Sequence, residues 1–339
     1  MPLNTVPTGS LAFQENSMKK SGYLKAAIAA VTGFGVFMEI GWSFSNMMIH
    51  YKNKDNKDKK QWFTLSHIKI NHPRNGFEEI YNEGKEWCYA QQMQDISIRS
   101  FDGLILHAKY FPADEPERTV LLSHGYKGTS FSEFANIARF LHENGCNLLF
   151  IDERCCGESE GEFITFGAKE KRDIQQWAFY LSSHDDMKLP IYLYGESMGA
   201  ASVLMASGLK LPRSVKGIIS DCAFQSMKWQ IKDMAANWFH LDHIDLLLMR
   251  VDWYCKIRAG FKMSEADTWY ALRHNKLPVL FFHGDKDTYV HVSNSWRNYR
   301  RCRAEKELVI VPGARHLCSC YVAPELYRGK LMEFFQKND

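Results

Sequence analysis

IYLYGESMGAA, residues 191–201, sets four mostly apolar residues before Gly-Glu-Ser-Met-Gly and a run of small residues after it. The apolar run reads as a strand buried on both faces, and the small-residue run opens a helix. A serine between them sits on a sharp strand-to-helix turn at the carboxyl end of the strand, where open α/β sheets gather their chemistry. Such a turn carries the chain close to its neighbouring strand and to its own helix. Gly195 and Gly199, on either side of Ser197, make that approach possible. The turn projects the Ser197 hydroxyl above the sheet. The backbone N–H of Met198, at the start of the helix, faces any negative charge that develops beside it.

A hydroxyl is a poor nucleophile at neutral pH, so chemistry at Ser197 needs a base and a group that orients the base. Both follow in the chain, each just after an apolar strand-like run. FFHGDKDTYVHV (281–292) supplies Asp285 and Asp287, and VIVPGARHLCS (309–319) supplies His316. Asp285 follows Gly284 closely and is expected to serve the turn, which leaves Asp287 as the orienting acid. A second oxyanion donor is expected from SHGYKG (123–128): the N–H of Tyr126, with His124 and Gly125 shaping the turn. The Tyr126 side chain either closes an acyl pocket or packs as a surface aromatic.

The same rhythm extends outward. TVLLSHG (119–125), NLLFID (147–152), GIISD (217–221), PVLFFHG (278–284) and ELVIVPG (307–313) are short apolar runs separated by helical stretches such as FSEFANIARFLHENG (131–145). Continuous apolar strands alternating with helices predict a mostly parallel sheet covered on both faces. DISIRSFDGLILHAKYFPA (95–113) predicts an antiparallel strand pair around an Asp102-Gly103 turn, at one sheet edge. A segment of about 222–275, rich in Trp, Phe, Leu and Met at helical spacing, interrupts the rhythm before the acid-bearing strand. It is core packing in the main, and an insert of this size is also a candidate lid over a pocket.

HGYKG, DERCCGESEG, GESMG, HGDKDTYV and GARH occur in the order and spacing of the α/β-hydrolase superfamily. Over residues 95–337 the chain most resembles its bacterial, membrane-anchored serine hydrolases, of the carboxylesterase and peptidase S9-like branch. The resemblance implies an eight-stranded, mostly parallel sheet with helices on both faces. It implies Ser197 as nucleophile, His316 as base and Asp287 as orienting acid. In DERCCGESEG, Asp152, Arg154, Gly157, Ser159 and Gly161 match the family pattern, while Cys155 stands where glycine is usual. The activity expected is cleavage of an acyl ester through an acyl-enzyme, with a serine peptidase of the S9-like type or a thioesterase as alternatives. A different class, a membrane-tethered binding protein on a hydrolase scaffold, is also compatible.

Composition bounds the rest. The 339 residues are 45% hydrophobic, enough for one large catalytic domain and an appendage. A net charge of +3 argues against nucleic acid as a partner. Nine scattered cysteines, several within apolar runs, read as reduced buried thiols rather than a disulfide framework. CSC (318–320) lacks a second Cys/His pair at zinc-ligand spacing, and neither metal nor organic cofactor is expected.

The order expected is a tail (1–22), a transmembrane or membrane-associated helix (23–48), a basic linker and helical lead-in (49–94), and the catalytic domain (95–339). LKAAIAAVTGFGVFMEIGWSF (24–44) is a 21-residue apolar run, long enough to cross a bilayer. Glu39 costs about 2.5–3.5 kcal/mol near the bilayer centre, while eight Leu, Ile, Val and Phe residues return about 0.3–0.6 kcal/mol each. Trp42 is placed as an interface anchor. Five lysines in 51–60 follow the run, which favours a cytoplasmic catalytic domain. The expected partners are a small-molecule acyl substrate, lipid-like in keeping with the anchor and the aromatic-rich insert, and the membrane. The sequence leaves the oligomeric state open.

Overall fold

The computed structural model describes residues 39, 41–51, 75–183 and 189–339. Helix α1 (Glu78–Ala90) leads into the antiparallel pair β1 (Gln94–Arg99) and β2 (Ile105–Phe111). β3 (Arg118–Ser123), the short helices α2 (Ser130–Glu133) and α3 (Ala138–Glu143), and β4 (Cys146–Ile151) follow. Then come α4 (Glu170–Ser183), β5 (Ile191–Glu196), α5 (Met198–Ala206) and β6 (Val215–Asp221). The insert holds α6 (Met227–Phe239), α7 (Asp245–Tyr254) with a π-helical turn at Cys255–Ala259, and α8 (Trp269–His274). The chain closes with β7 (Val279–Gly284), α9 (Ser293–Arg301), β8 (Lys306–Val311), α10 (Ser319–Val322) and α11 (Pro324–Asn338).

The eight strands form one sheet in the order β1-β2-β4-β3-β5-β6-β7-β8. β3 to β8 pair in parallel and β2 runs antiparallel to β4, so the antiparallel pair stands at one edge, as expected. β3, β4, β5 and β7 are buried along their whole length, which is why they read as unbroken apolar runs. Alternate residues face opposite layers. Leu121, Leu149, Leu193, Ile218 and Phe281 pack with α4 and α5, while Val120, Leu122, Phe150, Tyr194 and Phe282 pack beneath α11. Each such side chain, fully buried, contributes about 1.5–3 kcal/mol of apolar transfer.

β3 connects outward to β4 while β5 connects the other way to β6, so the direction reverses between β3 and β5. Ser123 pairs with Gly195 and Glu196 with Asp221, which brings the carboxyl ends of β3, β5 and β6 level. That reversal opens a crevice at the carboxyl edge.

The insert adds to the core rather than standing apart from it: Met227, Ile231, Leu248, Val251, Tyr254 and Phe261 all join the α4–α5 layer. All nine cysteines are free and buried, as expected of reduced thiols.

The N-terminal expectation is corrected in part. No helix among the described residues is long and apolar enough to cross a membrane. Residues 24–38 and Ile40 of the apolar run lie outside the described residues. The end of the run does not project from the domain but folds onto it as a helix over residues 41–49. Trp42, expected as a bilayer anchor, packs edge-on against Tyr254 with ring centroids 4.5 Å apart. Ile49 is fully buried, and its carbonyl accepts the Ile164 N–H at 2.8 Å. The physical reason is that an apolar run records only a preference to leave water, and here a protein surface supplies the alternative.

Candidate active site

Ser197 is the residue between β5 and α5, with φ 54° and ψ −112°. A non-glycine residue in such a conformation costs on the order of 1–3 kcal/mol and persists because its surroundings over-determine it. The glycines explain how. A Cβ on Gly199 would stand 1.9 Å from the Ser123 carbonyl oxygen, and one on Gly195 would stand 2.4 Å from the Gly199 backbone. The Ser197 N–H donates to the Asp221 carbonyl at 2.9 Å, pinning the turn to the end of β6.

His316 stands on the loop after β8 and Asp287 on the loop after β7. The structure brings both to Ser197. The His316 Nε2 is 3.0 Å from Ser197 Oγ, and its Nδ1 is 2.6 Å from Asp287 Oδ2. Asp287 and His316 are both buried, while Ser197 is only partly so. Asp287 Oδ1 accepts the N–H groups of Tyr289 and Val290 at 2.8 and 2.9 Å. Burial opposes the charge on Asp287, but the His316 and His283 imidazoles outweigh it and hold the carboxyl well below its usual range. Burial likewise opposes an imidazolium at His316, and the adjoining Asp287 carboxylate outweighs it, raising His316 above its ordinary 6.5. An ionised Asp287 can only accept, so Nδ1 of His316 carries the proton and Nε2 is left to accept from the Ser197 hydroxyl.

Asp285 serves the turn. Its carboxylate accepts the Gly313 N–H at 2.7 Å and so ties the loop bearing Asp287 to the loop bearing His316.

The loop after β3 lies against the serine: a Cβ on Gly125 would come within 3.2 Å of Ser197 Cβ. The buried Glu133 carboxylate accepts the Gly125 N–H and holds this loop from behind. His124 is fully buried and accepts the Glu153 N–H at Nε2, 3.1 Å away; burial pushes it down to about 4 and keeps it neutral. Tyr126 follows. Its ring stacks on Phe166 at 5.3 Å and its hydroxyl donates to the Met48 carbonyl at 2.6 Å, so the side chain is held by the N-terminal segment. Met198 is the first residue of α5, so its N–H has no intrahelical acceptor.

Three neighbours escaped the sequence. His283, within β7, places Nε2 3.3 Å from Asp287 Oδ2 and 2.8 Å from the Val290 carbonyl. Both are acceptors, so Nε2 carries a proton and the acid receives two imidazole donors. Tyr289 stacks on the His316 ring at 5.4 Å. Glu133 is the third. His283 and Tyr289 lie inside the quoted HGDKDTYV motif, so the signal for them was present. Glu133 had none.

Cys222 Sγ, the Asp287 carboxylate and a His316 nitrogen all lie within 4.8 Å of one another, a set that a soft divalent cation could use. Burial holds the Cys222 thiol well above its usual range, hence protonated, and both His316 nitrogens already face Asp287 and Ser197. The set fits a hydrogen-bonded line better than a metal centre.

Known proteins resemble this chain in sequence and in fold. A family model described as serine aminopeptidase, S33, matches residues 114–253. The uncharacterised protein YqkD of Bacillus subtilis (strain 168) is 26% identical over 295 residues, 87% of this chain and 92% of its own. An esterase of Pyrococcus furiosus has a similar structure, with a TM-score of 0.60 and 22% identity, over 73% of this chain and 91% of that one. Est1E of Butyrivibrio proteoclasticus, whose structure holds ferulic acid, has a TM-score of 0.56 and 22% identity, over 72% of this chain and 98% of its own.

Proposed function

We propose that the chain is a serine hydrolase of the α/β-hydrolase superfamily acting on a carboxylic ester, with Ser197 as nucleophile, His316 as base and Asp287 as orienting acid, a reading supported by the matching family model and the fold of the structural relatives. The observation that carries this reading is the unbroken line from a strained, partly accessible hydroxyl through a buried imidazole to a buried carboxylate.

The Ser197 O–H donates to His316 Nε2, which takes its proton as the oxygen attacks the acyl carbonyl. The backbone N–H groups of Met198 and Tyr126 receive the developing oxyanion, Met198 with the support of the α5 N-terminus. Asp287 fixes the tautomer and stabilises the imidazolium. His316 then protonates the leaving alcohol. A water activated by the same imidazole releases the acid. The esterases among the structural relatives favour an ester over an amide. Peptide cleavage is the second reading, favoured by the serine aminopeptidase family model.

The catalytic domain spans 95–339 in this reading. The apolar run at 24–44 and the lysines after it support association with a membrane, with the domain on the cytoplasmic side. Fractionation of cells with and without residues 24–40 tests that association.

The test of the chemistry is labelling by a fluorophosphonate probe in wild type, Ser197→Ala and His316→Ala, followed by turnover of p-nitrophenyl esters of increasing chain length. Labelling lost in both variants, with ester turnover in wild type, is the expected result. A folded wild type that takes no label and turns over no ester overturns the reading in favour of a binding scaffold.

A further inference from the structure

The insert helix α7 is apolar on two opposite faces. Leu248, Val251, Tyr254 and Cys255 are buried against the domain. On the outer side Leu246, Met249, Trp253 and Ile257 recur at intervals of three and four residues and remain 45–68% exposed. A surface helix normally presents polar groups to water, and a contiguous exposed apolar stripe marks a surface that something covers.

Two observations identify the occupant. The first is where the chain enters. Trp42, near the end of the 21-residue apolar run 24–44, packs against Tyr254 and lies 6.3 Å from the Trp253 ring. The run therefore meets the domain at the stripe itself. The second is the charge around it. The Arg250 guanidinium lies over Trp253 at 4.9 Å and that of Arg258 over Trp42 at 5.8 Å, while exposed Lys256 and Lys262 extend the rim. Of the nearby acids, Asp245 is paired with Lys232 at 2.8 Å and Asp252 accepts the Met263 N–H at 2.7 Å. Aliphatic side chains flanked by tryptophan, arginine and lysine have the chemistry of a surface that enters the headgroup boundary of an anionic bilayer.

The segment that meets the stripe helix also reaches the loop beside the serine. The helix at 41–49 rises about 9 Å from Trp42 to Met48. The Met48 carbonyl accepts the Tyr126 hydroxyl, and the Lys127 ammonium donates to the Met47 carbonyl at 3.3 Å. Tyr254 donates to Asn46 at 2.6 Å. One short segment thus clasps both the stripe helix and the proposed oxyanion loop.

We propose that the outer face of α7, together with Trp42, docks on an anionic lipid surface, from which acyl chains reach the crevice at Ser197. The last clause rests on the ester-hydrolase reading; the docking does not.

The experiment uses the full chain. The nine native cysteines are buried, so Met249→Cys provides a selective site for an environment-sensitive NBD probe, with exposed Arg213→Cys, just before the amino end of β6, as control. Each is mixed with phosphatidylcholine–phosphatidylglycerol vesicles, with and without brominated acyl chains. The expected result is a blue shift and bromine quenching at 249, and neither at 213. Vesicle-bound protein whose 249 probe is not quenched by bromolipid overturns the proposal. So does a probe already blue-shifted before vesicles are added, which would mean that residues 24–40 cover the stripe.

A second arm separates the two readings. Leu246→Asp/Ile257→Asp should keep turnover of a soluble ester and lose about a hundredfold or more on a vesicle-borne one, as expected for removing two inserted aliphatic side chains. Equal rates on the vesicle-borne ester would count against docking. Loss of all ester turnover in wild type, with quenching at 249 intact, would remove the hydrolase reading and leave the docking standing.

Discussion

The Arg154 cluster and the Ser197–His316–Asp287 line are both buried charge networks, and both stand on loops beyond the carboxyl ends of strands. They end differently. Arg154 donates through Nε and Nη2 to the Asp173 carboxylate at 2.7 and 2.8 Å, and through Nη1 to Asp102 at 3.1 Å. Its guanidinium also lies 5.5 Å from the centre of the Phe101 ring. Every nitrogen is engaged, so that network closes on itself and holds the loop after β4, α4 and the β1–β2 turn together. The line through Asp287 and His316 is equally well supported from behind, yet it ends on a hydroxyl that the protein leaves partly open. A closed network stabilises a fold, whereas an open-ended one has a position left for a substrate. The two also differ in how they use strain. Ser197 at φ 54° aims a partly accessible hydroxyl at His316, while Cys155 at φ 69° stands where a glycine would carry no penalty and turns a Sγ into the core.

The comparison breaks most sharply at the open end. Ser197→Ala should lower kcat by about 10⁴–10⁶-fold, since in the proposed triad the nucleophile, base and acid act as a unit. Its thermal unfolding should move by no more than about 0.5 kcal/mol, because alanine meets the same backbone strain and loses one partly exposed hydroxyl. Steady-state kinetics beside a melting curve checks both halves. A large loss of stability would mean that Ser197 is architecture after all.

Asp287→Asn follows, with an expected fall in kcat of about 10⁴-fold. The amide can present its NH₂ to His316 and so favour the wrong tautomer, while the backbone donors at Tyr289 and Val290 still hold its oxygen. Asp285→Asn, in the turn between the two loops, should cost far less. Equal losses in the two variants would return the choice between these aspartates to where the sequence left it.

Arg154→Leu tests the closed network. Removing the cation strands Asp173 in the interior, and breaking a buried pair in this way costs about 3–5 kcal/mol. The expected outcome is a lowered unfolding midpoint with kcat per folded molecule unchanged. Active-site titration of the soluble fraction with the fluorophosphonate supplies the denominator.

Much of this contrast was legible in the chain and some of it was not. Strands buried on both faces read as unbroken apolar runs, so the sheet could be found without knowing its partners. GESMG was legible because the steric demand on Gly195 and Gly199 is local. Asp287 and His316 were reachable because each follows a strand end that could be located. Glu133 was not, since its contact with Gly125 depends on how the loop after β3 folds back. The end of the N-terminal run was not legible for a related reason. Hydrophobicity does not say whether residues 41–50 leave water for lipid or for Tyr254 and Phe163, and only the folded domain supplies that second surface.

The smallest effect separates the two networks by pH. His316 must be neutral to accept the Ser197 proton, and its raised value means that kcat/KM falls on the acid side from above 6.5 rather than below it. Asp287→Asn removes the carboxylate that raises it, so the acid limb of the residual activity should move to lower pH. The stability linked to His316 has the opposite sense to its activity. A group whose value is raised on folding stabilises in full below its unfolded value and loses that contribution as pH rises through the folded one. The difference in unfolding midpoint between wild type and His316→Ala should therefore be largest on the acid side of 6.5 and shrink toward alkaline pH. At still lower pH it should fade again as Asp287, whose value is depressed, takes up its proton. Arg154→Leu should show the opposite trend, its cost growing from neutral toward alkaline pH, because burial raises the Asp173 carboxyl to about 7 and the substitution leaves it to ionise without a cation. A midpoint difference for His316→Ala that is flat across that range would mean that no imidazolium–carboxylate bond forms with Asp287, and the open network would lose its base.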